Sequence, residues 1–325
     1  MNPLVSILIP VYNCEAWVAQ AVQSALVQTW SNKEIIAVDD ASTDGSWDVL
    51  QTFASVIHIE RVPINGGQNV TRNRLTELSH GEWLVYLDAD DELAPSSVEE
   101  KMKFSSDAEA VYGSCEFARF CGQRKIEAMM SVAVDHADQF VAAFHWKFPN
   151  TSAFLFRKRA LVEIGGWNEQ IQNCTDRELV FKLLIAGYRL KAAPNAWSLY
   201  RQWSPNQAVY QSAVRMTRTR LNVMRDAASL MHKNGLMTPM REQAFLDACL
   251  CVVRNIYRSD RETAVLEEKN LRQMSPSFRP SRALFSQSYR CAYNTCGFIA
   301  AERLASFGRV FKTAGNELSN EGSRD

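Results

Sequence analysis

Three acids fall within four positions at the end of an apolar run: Asp88, Asp90 and Asp91 in LVYLDADDELAP (84–95). Two more, Asp39 and Asp40, close a second apolar run, EIIAV (34–38). Like charges held this close repel, so such a cluster is costly unless it binds something. Paired carboxylates with no basic residue beside them suit a hard divalent cation, which takes oxygen ligands and completes its shell with waters and phosphates. An acidic cleft holding such a cation accepts a diphosphate; without the cation it repels one. The bland alternative is that these acids are turn residues and helix caps, the common use of a single Asp. Two clusters at equivalent places in the fold count against it.

Those places follow from the elements around them. VSILI (5–9) is a short apolar run rich in β-branched residues, as expected of a strand covered on both faces, and Pro10 ends it. Ala16, Val18, Ala21, Val22, Ala25 and Leu26 then recur near helical spacing. EIIAV is a second strand, TDGSWDVLQTFA (43–54) a turn and helix, VIHIE (56–60) a third strand. NGGQN (65–69) is a turn, a helix runs to about Leu78, and EWLVYL (82–87) is a fourth strand. Strand and helix alternate, which predicts an α/β fold with a mostly parallel sheet flanked by helices. In such sheets ligands bind outside the carboxyl ends of the strands, where both acid clusters lie.

The bulk numbers agree with a globular protein of one or two domains. The chain has 325 residues, is 46% hydrophobic, and balances 36 Lys+Arg against 36 Asp+Glu. That balance argues against a nucleic-acid binder, which shows basic excess. The eight cysteines are scattered without a CxxC pair or zinc spacing, as expected of reduced thiols in a cytoplasmic protein. No apolar stretch is long enough to span a membrane, and the N-terminus reads as a strand, not a signal peptide.

The ordered segments VSILIPVYNCEAWVAQAVQSALVQTW, EIIAVDDASTDGSWDVL, NGGQNVTRNRL, GEWLVYLDADDELAP and GGWNEQIQNCTDRELVFKLLIAGYRL resemble those of family 2 glycosyltransferases. The resemblance covers about residues 4–203. It implies a GT-A fold (Rossmann-like and nucleotide-binding), a nucleotide-sugar donor, Mn²⁺ or Mg²⁺, and inversion at the anomeric carbon. Pro10, Tyr12 and Glu15 match the first nucleotide-contacting segment. Asp39 matches the acid that reads the base, usually uracil, and Arg72 the basic residue near the nucleotide. Asp88 and Asp90 are the ends of the DxD motif: Asp88 and Ala89 are expected at the nucleotide, Asp90 and Asp88 on the metal. Arg72 and Arg74 lie about 200° apart on a helix, so only one of them faces the cleft.

Inverting transfer needs a general base for the acceptor hydroxyl. The family carries Glu-Asp at the start of a helix; here the pair is Thr175-Asp176. Leu179, Val180, Leu183, Leu184 and Gly187 form that helix's buried stripe, and Asp176 lies on the same side one turn earlier. Asp176 is the expected base. Glu178 is the alternative, with two structural tasks open to it: a capping box with Thr175 and a pair with Lys182. Relatives place a His after a Tyr-Arg pair; here Gln202 and Trp203 follow Tyr200-Arg201.

Trp146, Trp167 and Arg201 are candidates for acceptor contact. The chain divides into a transferase domain, 1–204, and a helical extension, 205–325, with a linker near 268–283 and a disordered tail. Residues 290–313 form an amphipathic segment that suits peripheral membrane contact on the inner face, or packing on its own domain or a partner subunit. The expected function is metal-dependent, inverting transfer from a UDP-sugar to a glycan or lipid-linked acceptor. The alternatives are a polyprenyl-phosphate sugar synthase, though the Gln-His-Pro-Pro type run after DxD is missing, and an inactive glycan- or nucleotide-binding scaffold of the same fold.

Overall fold

The computed structural model describes residues 2–202 and 213–321. It divides into two compact units, Met1–Ser212 and Ala213–Asp325.

The first unit is built on one sheet with strand order β3-β2-β1-β4-β8-β6-β9-β5. Its N-terminal half is parallel: β1 (Val5–Val11) lies between β2 (Lys33–Asp39) and β4 (Trp83–Tyr86), with β3 (His58–Arg61) outside β2. The helices α1 (Val18–Leu26), α2 (Ser46–Gln51) and α3 (Gln68–Leu78) make the crossovers. Every residue of β1 is buried, as its unbroken apolar run requires. Ile7, Ile9, Val22, Ala25, Ala37, Leu50 and Val85 meet in one core on this sheet. The strand continues through Pro10 to Val11, two residues beyond the expected stop. Proline is tolerated because β4 pairs with β1 only as far as Leu8, so beyond it one side of the strand needs no ladder N–H. At the sheet edge, β3 is thinly covered and His58 is exposed.

Beyond β4 the sheet becomes mixed. The short β5 (Glu92–Leu93) and α4 (Ser97–Met102) follow the acid cluster. Next come β6 (Ala110–Cys121), β7 (Arg124–Ser131), α5 (Gln139–Phe144), a 3-10 turn (Thr151–Ala153) and β8 (Phe154–Arg157). The chain continues with α6 (Lys158–Glu163), α7 (Thr175–Ile185) and β9 (Leu190–Gln202). β8 runs antiparallel to both β4 and β6, while β9 runs parallel to β6 and antiparallel to β5. Because β9 lies between β6 and β5, its end is brought beside the turn that follows β4.

The second unit is helical: α8 (Ala213–Lys233), α9 (Pro239–Ile256), α10 (Arg261–Met274) and α11 (Gln287–Glu321). The linker expected at 268–283 is therefore helical as far as Met274, and Phe278 beyond it is buried. The amphipathic segment expected at 290–313 is broken at Gly297, whose φ of +83° only glycine adopts at low cost. Its described part packs inward: Phe298 is buried against Tyr257, and fully buried Glu302 accepts from Arg254 Nε at 2.5 Å. The side chains of Phe307, Val310 and Phe311 lie outside the described residues, as does residue 203. The backbone is helical to Glu321, which shortens the expected disordered tail. No described helix is long and apolar enough to cross a membrane.

Candidate active site

The carboxyl ends of β1 and β2 form one rim. Asn13 N donates to Ser42 Oγ (3.0 Å), and Asn13 Oδ1 accepts from Thr43 N (2.8 Å). Cys14 N donates to Ser46 Oγ (2.8 Å), and Gly45 N to Glu15 Oε2 (3.1 Å). These bonds cross-link two loops thirty residues apart. Pro10 is buried beneath them, Glu15 is exposed, and Tyr12 is 48% exposed, an aromatic face open to a ligand.

Asp39 is fully buried at the end of β2. Its Oδ2 accepts from Ser42 N and from Arg61 Nε, both at 3.1 Å. Its Oδ1 is buried with no hydrogen-bond partner. An orphan acceptor of this kind is costly unless a donor reaches it. Asp40 differs: its carboxylate accepts from Gly66 N (2.8 Å), Gly67 N (2.9 Å) and Asn65 Nδ2 (3.0 Å). It is the clamp of the NGG turn, where Gly67 takes φ +90°. Asp40 therefore follows the structural reading of an Asp in a turn.

The second acid cluster divides the same way. Asp91 is fully buried and accepts from Ser152 Oγ (2.7 Å), Asn150 Nδ2 (2.9 Å) and Arg201 N (3.0 Å). Burial, then the nearby charges of Asp90 and Asp88, push its carboxyl well above the usual range. Ser152 Oγ also accepts from Asp88 N (3.2 Å), so the turn after β4 hangs on the 150–152 segment. Of the five acids, Asp40 and Asp91 are consumed in building the site. Asp88 and Asp90 remain half-buried at the cleft, with Ala89 buried between them.

Arg72 is the arginine that turns inward. It is 2% exposed, donates from Nη2 to Asp88 Oδ1 (2.7 Å) and from Nη1 to Thr175 Oγ1 (3.2 Å), and stands 4.5 Å over the ring of Trp167. Arg74 turns outward to Glu60 and Glu77. The helical separation of the two is realised, yet Arg72 reaches Asp88 and the start of α7 instead of presenting itself at the surface of the cleft.

Asp176 stands in the first turn of α7 with its side chain 22% exposed. Its Oδ1 accepts from Arg177 N at 2.9 Å. The capping box expected of Thr175 and Glu178 does not form, because Cys174 takes the N-cap and Thr175 is already the first helical residue; its hydroxyl accepts from Arg72. Glu178 pairs with Lys182 at 3.3 Å, the second structural task foreseen for it. Tyr200 lies on β9. Its phenol is held above the usual range by burial and then by the charges of Asp91, Asp90, Asp88 and Asp176. The charges of the two cleft acids and of Asp176 thus act on one side chain. Cys14 borders the same field: burial, then Asp90, raise its thiol.

Two of the three acceptor candidates are placed otherwise. Trp167 is 2% exposed, with Arg72 on its face and Tyr86 edge-on at 5.1 Å, so no sugar reaches the ring. Arg201 is fully buried between Trp17 (4.1 Å) and Phe120 (5.0 Å); it pairs with Glu92 and donates from Nη1 to the Asp90 carbonyl at 2.6 Å. It braces the DxD turn. Both misplacements have one cause: cation–π stacking and long-range ion pairs leave no local periodicity to read. Trp146 is half-buried in the loop after α5, in the left-handed region (φ +57°), with Arg177 5.2 Å over its ring. It is thus near the helix turn that carries Asp176. Neighbouring Phe148 is buried on Tyr112. Sequence reading missed Ser152, Asn150 and Tyr200; only their proximity in space marks them.

Among the described residues, no three His, Cys, Asp or Glu side chains form a preformed cation cage. The donor set at Asp88 and Asp90 is two hard carboxylates. That fits Mg²⁺ or Mn²⁺, which take few protein ligands and complete their shell from water and phosphate; it does not fit zinc, which prefers nitrogen and sulfur.

Residues 6–165 match the profile of Glycosyl transferase family 2. A Bacillus subtilis protein, provisionally named the teichuronic acid biosynthesis glycosyltransferase TuaG, is 34% identical over 120 residues, 36% of this chain and 46% of that protein. The chain thus spans less than half the length of the curated relatives it matches. The crystal structure of S. aureus TarS 1–349 with UDP-GlcNAc superposes with a TM-score of 0.55 at 14% identity, covering 84% of this chain and 90% of that one. The mannosyltransferase PcManGT of Pyrobaculum calidifontis, with GDP-Man and Mn²⁺, gives 0.54 at 15% identity, covering 94% and 87%. At these identities the likeness establishes the GT-A architecture.

Proposed function

Because the N-terminal unit of this chain belongs to glycosyltransferase family 2, with the GT-A fold, we propose that it transfers a sugar with inversion from a UDP-sugar to a hydroxyl of a glycan or lipid-linked glycan acceptor in cell-surface polysaccharide synthesis. The observation that carries the reading is the division of labour among the acids. Two are spent on structure, two stay at the cleft, and the charge of Asp176 acts on the same phenol as theirs.

In this reading the uridine lies on the rim made by Tyr12 and the loops around Asp39, whose orphan oxygen awaits a base N–H. Asp90 and Asp88 would hold a divalent cation, which would supply charge neutralisation for the diphosphate. Asp176 accepts the proton of the acceptor hydroxyl while that oxygen bonds to the anomeric carbon. The bond from that carbon to the diphosphate oxygen breaks, and its electron pair leaves with the nucleotide. Trp146 stands where an acceptor ring can stack near Arg177. TarS was solved with UDP-GlcNAc and PcManGT with GDP-Man and Mn²⁺, which supports a nucleotide-sugar and a divalent cation here. The name of TuaG supports the polymer pathway.

Donor turnover is the test. The protein is incubated with UDP-, GDP- and dTDP-sugars, with Mn²⁺, Mg²⁺ or EDTA, beside Asp90→Asn and Asp176→Asn, and released nucleotide is measured. Release from a UDP-sugar that is lost with EDTA and in Asp90→Asn supports the reading. No metal-dependent nucleotide binding and no release sinks it.

A further inference from the structure

The helix that carries Asp176 is not fastened by its own cap. Cys174 precedes it at φ +61° and makes no side-chain capping bond. Thr175, the first helical residue, spends its hydroxyl on Arg72, 103 positions away in sequence.

The loop entering α7 is tied to α3 along its length. Asn69 Nδ2 donates to the carbonyls of Asn168 (2.6 Å) and Ile171 (3.0 Å). Asn73 Nδ2 donates to the Trp167 carbonyl (2.9 Å), and its Oδ1 accepts from Trp167 N (3.0 Å). Asn69, Arg72 and Asn73 are spaced to share one helix face. Arg72–Thr175 is the last of these ties and the one adjacent to Asp176. Its other arm is anchored on Asp88, and its plane rests on Trp167. A planar guanidinium holds two partners in fixed geometry; an ammonium on a flexible stem does not.

We propose that Arg72 and Thr175 are a positioning pair: Arg72, anchored on Asp88, sets the first turn of α7 and so the placement of Asp176 against the donor. The proposal rests on Asp176 being the base. Arg72 touches no substrate in it. Displacing a reacting group by about 1 Å costs on the order of a hundredfold in rate.

The test compares Thr175→Val, Thr175→Ser, Arg72→Lys and the double variant Arg72→Lys/Thr175→Val. It measures kcat, donor KM, and backbone hydrogen exchange at residues 176–179. Thr175→Val is expected to lower kcat by ten- to a hundredfold, on the order of that misplacement cost, with donor KM within about twofold. Exchange in the first turn of α7 speeds up, and Thr175→Ser restores both. The double variant is expected to be no worse than Arg72→Lys, as for two partners in one interaction. Wild-type kcat in Thr175→Val, a kcat loss matched by a rise in donor KM, or multiplying losses each overturn the pair. If Arg72→Lys does not fold, Thr175→Val alone decides. Unchanged exchange overturns the tether whatever the turnover. Faster exchange in a protein that turns over no donor overturns the transferase reading and leaves the tether standing.

Discussion

Arg72 Nη2 lies 2.7 Å from Asp88 Oδ1, and the side chain that makes this contact is only 2% exposed. The pair ties the buried guanidinium of α3 to the turn after β4, where Asp88 is 19% exposed and Asp91 is fully buried.

Asp176→Asn removes the proton acceptor while keeping the shape. Transfer to acceptor should fall by ~10²–10⁴-fold, the usual worth of a general base. UDP affinity, measured by calorimetry, should not change. Comparable loss in Glu178→Gln with full activity in Asp176→Asn would move the base to Glu178.

Asp39→Ala removes the buried acceptor whose Oδ1 has no partner. Loss of a hydrogen bond to a charged group, ~1.5–3 kcal/mol, should weaken UDP binding by about ten- to a hundredfold. The acceptor KM should stay put. Equal affinity for UDP in wild type and variant would remove Asp39 from the base-reading role.

Asp91→Asn keeps the volume but turns an amide N–H₂ toward a site of three donors, Ser152, Asn150 and the Arg201 N–H. At least one donor is left unpaired, at about 1–3 kcal/mol. Thermal unfolding should show that loss as a lower midpoint. Asp90→Asn, at the cleft, should lose donor turnover with little change in midpoint.

Lys101 is fully buried on α4 and its Nζ has no hydrogen-bond partner. Burial lowers its pKa to about 7, against 10.5 when free. The folded state therefore binds fewer protons than the unfolded one between about pH 7 and 10.5, and stability should rise with pH across that window. Lys101→Met removes the penalty. Its gain should be a few kcal/mol near pH 7, on the scale of 1.36 kcal/mol per pKa unit, and should shrink toward pH 10. Unfolding curves at pH 7 and pH 10 decide it; a gain that is constant with pH would mean Lys101 is not neutralised in the fold.

The parallel half of the sheet was legible because buried strands read as apolar runs and helices as a 3.6-residue period. The acid clusters were legible because strand ends in such a sheet face the ligand. Which acids are spent on holding loops together was not. Asp40 and Asp91 look like their neighbours in sequence, and their partners lie 25 to 110 residues away. Trp167 and Arg201 are candidates for acceptor contact in the sequence because nothing local marks their partners; each is sealed by the other kind of group. Thr175-Asp-Arg-Glu has the spelling of a capping box, but the helix begins one residue early, with Cys174 at the N-cap, and the Thr175 hydroxyl faces Arg72 instead. The break in α11 rests on one glycine whose helical neighbours give no sign of it.

The turn at 88–91 is completed by Asn150, Ser152 and the last strand, where Arg201 N–H closes on Asp91. During synthesis the β1–β4 half can pair as soon as it emerges, since its contacts are between near neighbours in the chain. The turn at 88–91 cannot set until roughly twice that length has been made. A nascent chain therefore orders the rim of β1 and β2 early and this acidic turn last. Until β9 docks, Asp91 lacks the bond from Arg201 N–H and the turn is only partly braced.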